Sequence, residues 1–183
     1  MNIFLIGYRC TGKTSVGRSL AKSLGRPFLD ADSELVKEQD LNIYEIIRKH
    51  GWDAFREIES DVIKRVCDLD DHVVATGGGA VLNDKNVKHM KRSGKLVWLK
   101  ATPETIKKRI LQDKNTKNFR PPLTSKGSVE EIHETLLNRN PFYEKAMDFD
   151  VDTDDIGIDE VCHAIIKRLK DMGWWDTFFK KLN

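Results

Sequence analysis

The run Gly7-Tyr8-Arg9-Cys10-Thr11-Gly12-Lys13-Thr14 has the spacing G-x-x-x-x-G-K-[ST]. Glycines at positions 7 and 12 let the backbone turn its amides toward phosphate oxygens, and Lys13 adds a point charge there. A helix opening at Thr14 would aim its N-terminal amides at the same oxygens, while the threonine hydroxyl could ligate magnesium. The chemistry is that of a phosphate-binding loop for a nucleoside triphosphate, with Gly7, Cys10, Thr11, Gly12, Lys13, Thr14 and Ser15 as its candidate contacts.

Four other clusters carry reactive or ligand-binding groups. Asp30 and Asp32 form an Asp-x-Asp at the end of an apolar segment; one carboxylate could support magnesium and the other accept a hydroxyl proton. Arg56 and Glu59 stand three residues apart on a helical pattern, so they share a face and the glutamate can hold the guanidinium. Thr76-Gly77-Gly78-Gly79 would let a small ligand approach backbone amides closely. Arg139 precedes Asn140-Pro141-Phe142-Tyr143. Each also has a plainer meaning: a helix cap, an exposed ion pair, a strand-ending turn, a surface arginine.

These groups must be positioned by strands and helices. Apolar segments at about 2–6, 27–30, 73–76, 96–100 and 149–152 read as strands, each separated from the next by a helical pattern, which implies a parallel sheet. After the loop, Val16, Leu20, Ala21 and Leu24 form one apolar helical face that ends at Gly25 and Pro27. Ile43, Ile46 and Ile47 mark one helix, and Phe55, Ile58, Val62, Ile63 and Val66 mark a second, longer one. Thr102-Pro103 reads as a cap and first helical residue before Ile106 and Ile110. Ser128 and Glu131 have capping-box spacing before Ile132, Leu136 and Leu137. Between the last two helices, the polar and basic stretch 112–127 with Pro121 and Pro122 reads as a long loop, and active-site lids are a common use of such loops.

The 183 residues fit one domain, 1–183, with 31 Lys plus Arg against 29 Asp plus Glu and a net charge of +2. That balance gives no bulk reason to expect nucleic acid or an anionic membrane. No stretch is long and apolar enough for a membrane span, and no leader precedes the first strand, so a cytoplasmic location is expected. Cys10, Cys67 and Cys162 are odd in number and widely spaced, without a disulfide or zinc pattern. His50, His72, His89, His133 and His163 lie in mostly polar contexts and carry no site.

Taken in order, the motifs resemble the shikimate kinase family over about residues 2–155: the phosphate loop, Asp30-Ala31-Asp32, Phe55-Arg56-Glu57-Ile58-Glu59, Gly77-Gly78-Gly79, Arg120-Pro121-Pro122-Leu123 and Arg139-Asn140-Pro141-Phe142-Tyr143. The resemblance implies a three-layer α/β/α fold of P-loop kinase type with a central five-stranded parallel sheet. It implies transfer of the γ-phosphoryl group of ATP to the 3-hydroxyl of shikimate, with Mg2+, in aromatic amino-acid biosynthesis. Carried over, Asp32 would accept the hydroxyl proton, Asp30 and Thr14 would hold magnesium, and Lys13 and Arg120 would neutralise the phosphoryl group. Arg56 and Arg139 would clamp the shikimate carboxylate, with Glu59, Gly77, Gly78 and Gly79 completing that site. Arg109 and the Asp152-Thr153 turn would flank adenine. Substrate-binding helices are expected at about 32–62, a lid at 112–127 and a helical tail at 158–183.

The sequence also departs from the family's pattern. Cys10 stands where glycine is usual; its thiol is either an inert small side chain or, ringed by loop amides and Lys13, a reactive one. The lid reads Pro121-Pro122-Leu123-Thr124, where many members have Pro-Leu-Leu. The tail, with Leu169, Met172, Trp174, Trp175, Phe178, Phe179 and Leu182, is expected to pack on the domain. A monomer is expected, with association through the tail left open. Two alternatives stand beside this reading: another small-molecule kinase, for gluconate or a nucleotide, and a catalytically silent nucleotide-binding module.

Overall fold

The computed structural model describes residues 1–112 and 129–174. The expected lid beyond Gln112, with Arg120, the cap at Ser128 and the aromatic run from Trp175 lie outside the described residues.

Five parallel strands form one sheet: β1 (Asn2–Ile6), β2 (Phe28–Asp30), β3 (Val73–Ala75), β4 (Gly94–Lys100) and β5 (Phe149–Asp152), in the order β2-β3-β1-β4-β5. Their boundaries agree with the apolar segments to within two residues. The helices are α1 (Lys13–Leu24), α2 (Ala31–Gln39), α3 (Ile43–Cys67), α4 (Asp84–Ser93), α5 (Pro103–Gln112), α6 (Val129–Ala146) and α7 (Ile158–Asp171). Because successive strand residues point to opposite faces, β1 divides the core. Phe4 and Ile6 pack with α2, α3 and α4 on one side, and Ile3 and Leu5 with α1 and α7 on the other. A sheet buried on both faces explains why its strands read as unbroken apolar runs. The connections from β1 to β2 and from β4 to β5 leave its carboxyl edge toward opposite sides, so β1, which feeds the phosphate loop, lies at the switch point where ligands bind in open α/β sheets.

The two helices expected between β2 and β3 are both present: they share the span α3 and part at Gly51, whose backbone is non-helical with φ +84°. Two features of α6 differ from the simplest reading of its pattern. Arg139 does not follow a helix but lies inside α6, which runs through Pro141 to Ala146. Pro141 removes one backbone bond, yet Tyr143 beyond it is anchored by stacking on Trp98 with ring centroids 5.6 Å apart. Finally, Leu137 is not inward-facing: it is 62% exposed, while Ile132 is buried.

The other helix ends behave as read. The Thr102 hydroxyl accepts from the Thr105 amide (3.3 Å), and Gly25 closes α1 in the left-handed conformation. Leu169 of α7 is buried, and Trp174 packs beside it under the Arg26 guanidinium.

Candidate active site

The phosphate loop is held open by its own side chains. Gly7 has φ +138°, and a Cβ there would lie 2.5 Å from the Leu99 carbonyl of β4, so both conformation and space require glycine. The Thr11 hydroxyl donates to the Tyr8 carbonyl (2.9 Å). The buried Lys13 ammonium donates to the Gly7 and Tyr8 carbonyls (2.8 and 2.6 Å), which fixes its charge beneath the loop. Gly12 begins α1 with φ +94°, so the first turn's amides open toward the loop.

Cys10 adopts φ +62° in this loop. A left-handed residue that carries a Cβ is strained by about 1–2 kcal/mol. Cys10→Gly is therefore expected to stabilise the fold by roughly 1 kcal/mol, raising Tm by about 2–4 °C. A thermal melt showing an unchanged or lower Tm would mean that the side chain's contacts outweigh the strain.

On one side of the loop, Cys10, Thr11, Gly12 and Ser15 line a pocket with Arg109, Thr153, Ile156 and Ile158. The Arg109 guanidinium is fixed there by the Thr153 hydroxyl (3.0 Å), the Thr153 carbonyl (2.5 Å) and the Cys10 carbonyl (3.3 Å). So held, it is a flat cationic platform suited to stacking under a base. Asp152 does not join this pocket. It is exposed on the last residue of β5, 3.9 Å from the Lys100 ammonium, and the apolar Ile156 and Ile158 line the wall instead.

On the other side of the loop, Asp32, Arg56, Glu59, Gly77, Gly78, Gly79 and Arg139 meet in a second pocket. These seven were named from four separate stretches of sequence. Arg56 Nη1 donates to Glu59 Oε2 at 2.5 Å, and the guanidinium also lies over the rings of Trp52 and Phe55. Glu59 is almost fully buried, and its Oε1 has no hydrogen-bond partner among the described residues. Burial pushes its carboxyl above the usual carboxylate range; Arg56 pulls it down, and nearby Asp32 adds to the rise.

The three glycines are packed as well as permissive. A Cβ on Gly77 would meet the Glu59 carboxylate and lie 2.7 Å from Asp32 Oδ1, and one on Gly79 would enter the Arg56 guanidinium. The Gly78 carbonyl accepts from the Tyr143 hydroxyl (2.5 Å) and from Arg139 Nη1 (3.4 Å). Burial raises the Tyr143 hydroxyl well above its ordinary range, so it stays a neutral donor. The same strand-to-helix edge carries Asp30, whose two oxygens divide their work. Oδ1 accepts from the Ser33 amide at the start of α2 (3.2 Å), and Oδ2 accepts from the Thr14 hydroxyl (2.7 Å). The plain reading of Asp30 as a helix cap and the metal reading are thus compatible. Sequence reasoning missed Arg9, Ile43, Trp52 and Tyr8 as lining residues. Arg9 was legible as a cation inside the phosphate motif, whereas Trp52 depends on the kink at Gly51 beside it.

A family model described as Shikimate kinase matches residues 9–170 of this chain. The chain belongs to the shikimate kinase family. It is 43% identical over 167 residues to the shikimate kinase of Thermodesulfovibrio yellowstonii, covering 91% of this chain and 94% of that protein. To the shikimate kinase of Syntrophus aciditrophicus it is 41% identical over 177 residues, covering 92% and 91%. Among solved structures, the shikimate kinase from Acinetobacter baumannii in complex with shikimate superposes with a TM-score of 0.86 at 31% identity, covering 93% of each chain. The five-stranded parallel sheet flanked by helices is the P-loop kinase architecture expected of that family, and membership makes the chain an ATP-dependent phosphotransferase.

Proposed function

We propose that the chain, as one kinase domain, transfers the γ-phosphoryl group of ATP to the 3-hydroxyl of shikimate, giving shikimate 3-phosphate and ADP. One observation carries the reading of the site: two pockets share the phosphate loop as a common wall, one with a fixed guanidinium platform and the other with two arginines beside Asp32. Phosphoryl transfer needs a donor and an acceptor on either side of such a loop, held in line.

The adenine ring stacks on Arg109, and the phosphates lie along the loop amides and Lys13. Arg56, oriented by Glu59, and Arg139 grip the shikimate carboxylate, for which forked guanidiniums are suited. The Gly78 and Gly79 amides meet its ring hydroxyls. Asp32 takes the proton of the 3-hydroxyl as that oxygen bonds to the γ-phosphorus and the bond to the ADP oxygen breaks. Arg120, outside the described residues, neutralises charge on the phosphoryl group. Thr14 and Asp30 fit Mg2+: their oxygens are hard donors 2.7 Å apart, and among the described residues no cluster of three or more metal-ligating side chains would complete a cage. That suits an ion that keeps waters and substrate phosphates as ligands, and it would supply charge neutralisation at the phosphates. Among the described residues no helix is long and apolar enough to cross a membrane.

A neutral sugar would leave the two arginines without an anionic partner, while gluconate and nucleoside monophosphates also carry an anion and are separated from shikimate by the assay. The test is ADP release from ATP over a panel of shikimate, quinate, gluconate and nucleoside monophosphates. Shikimate-dependent release well above the others is expected; release driven by another acceptor, with none by shikimate, would sink the reading.

A further inference from the structure

The acceptor pocket holds more positive charge than the two carboxylate-gripping arginines account for. Its described lining contains three arginines, Arg9, Arg56 and Arg139, against two carboxylates, Asp32 and Glu59. Arg56 is compensated by Glu59 at 2.5 Å, and Arg139 makes a long bond to the Gly78 carbonyl. Arg9 is different. It lies in the phosphate loop, yet its side chain turns into the acceptor pocket, and its guanidinium sits 5.7 Å from the Tyr8 ring centroid, with that of Arg139 at 5.9 Å from the same ring. Arg9 Nε is buried without a hydrogen-bond partner among the described residues. A buried guanidinium nitrogen whose donor is unused is costly unless an acceptor joins it.

We infer that Arg9 is a third cationic arm for the acceptor's carboxylate, a specificity residue that makes the pocket select a monoanion. The inference rests on the proposed acceptor being shikimate. One carboxylate brings the described lining to charge balance, and it gives Arg9 Nε the acceptor it lacks.

The test separates charge from structure. Arg9→Gln is assayed with shikimate and with its methyl ester, which has the same ring and hydroxyls but no charge. The expected result is an increase of about tenfold in the shikimate KM, the size of a lost charge-assisted hydrogen bond, with kcat and the ATP KM within about twofold. With the ester the variant and the parent should differ little. Equal losses on acid and ester would mean that Arg9 only supports the fold. A fall in kcat at unchanged acceptor KM would assign it to the phosphoryl group, and no change in either would remove it from the site; each of these overturns the inference. Arg9→Lys, which keeps the charge, guards against misfolding of the first variant: it should retain the preference for acid over ester, and an equal response to both would count against the inference. Shikimate turnover by the parent is read first, and its absence would count against the function itself rather than against Arg9.

Discussion

Asp32→Asn is expected to bind ATP and shikimate about as well as the parent and to lose roughly a hundred- to ten-thousand-fold in kcat. Asparagine keeps the size of the side chain and can still hydrogen bond to a hydroxyl, but it cannot accept a proton. Asp32 stands in the first turn of α2, directed toward Gly77 and the mouth of the acceptor pocket, where a hydroxyl held by the glycine amides would meet it. Trp52 lines that pocket, so quenching of its fluorescence on titration with shikimate measures binding independently of turnover. Turnover near that of the parent would show that the acceptor hydroxyl reacts without a base at position 32.

Arg56→Ala is expected to damage both stability and substrate affinity. Its partner Glu59 has a side chain only 5% exposed, so the change leaves a buried carboxylate without its compensating charge. Breaking a buried pair in this way costs about 3–5 kcal/mol, and since Arg56 is itself partly exposed, a loss of roughly 2–3 kcal/mol is expected here. The shikimate KM should rise by roughly a hundredfold, as for truncation of a charged partner in a desolvated contact.

The stability loss should depend on pH with a definite sign. Burial already raises the Glu59 carboxyl, and removing Arg56 takes away the charge that most opposes that rise. A carboxyl raised in the folded state binds its proton more tightly there than in the unfolded chain, so the protonated form's stability is fully present below the unfolded value and is lost as pH rises through the folded one. The gap in Tm between parent and variant should therefore be widest at neutral to alkaline pH and should narrow as pH falls through the raised value toward the ordinary carboxylate range. Melts at pH 5 and pH 8 decide it: a gap that is constant or widens in acid would mean that the cost is lost packing and not an uncompensated charge.

Much of this was legible in the chain. The sheet was readable because strands buried on both faces are short apolar runs, and the phosphate loop because its glycines, lysine and threonine occupy fixed spacings between a strand and a helix. Asn42 and Glu45 even form a reciprocal capping box at the start of α3, both bonds at 2.9 Å, a spacing readable in advance. What local pattern could not convey came from tertiary contact. Pro141 argues against a helix at Arg139, whereas the stacking of Tyr143 on Trp98 and its hydroxyl bond to the Gly78 carbonyl hold α6 beyond it. Asp152 follows the strand pattern to its end, but alternation turns it outward to Lys100 while Thr153 turns in.

The glycine triplet shows how part of a local design stays hidden in the sequence. A close approach to backbone amides was expected from its composition alone. That Gly77 makes room for Glu59 and Asp32, and Gly79 for Arg56, required the three-dimensional meeting of α3 with the turn after β3. Arg9 went unread because a cation inside a phosphate motif points attention to the phosphates, whereas its side chain turns to the acceptor side.

The central claim is that the pocket holding Arg56, Arg139 and Asp32 presents the 3-hydroxyl of shikimate to ATP. The most direct measurement is 31P and proton NMR of a reaction containing the enzyme, ATP, Mg2+ and shikimate. One new phosphomonoester signal, coupled to the ring proton on carbon 3 and growing in step with ADP, is expected. Phosphate on the 4- or 5-hydroxyl, or inorganic phosphate alone, would contradict the claim.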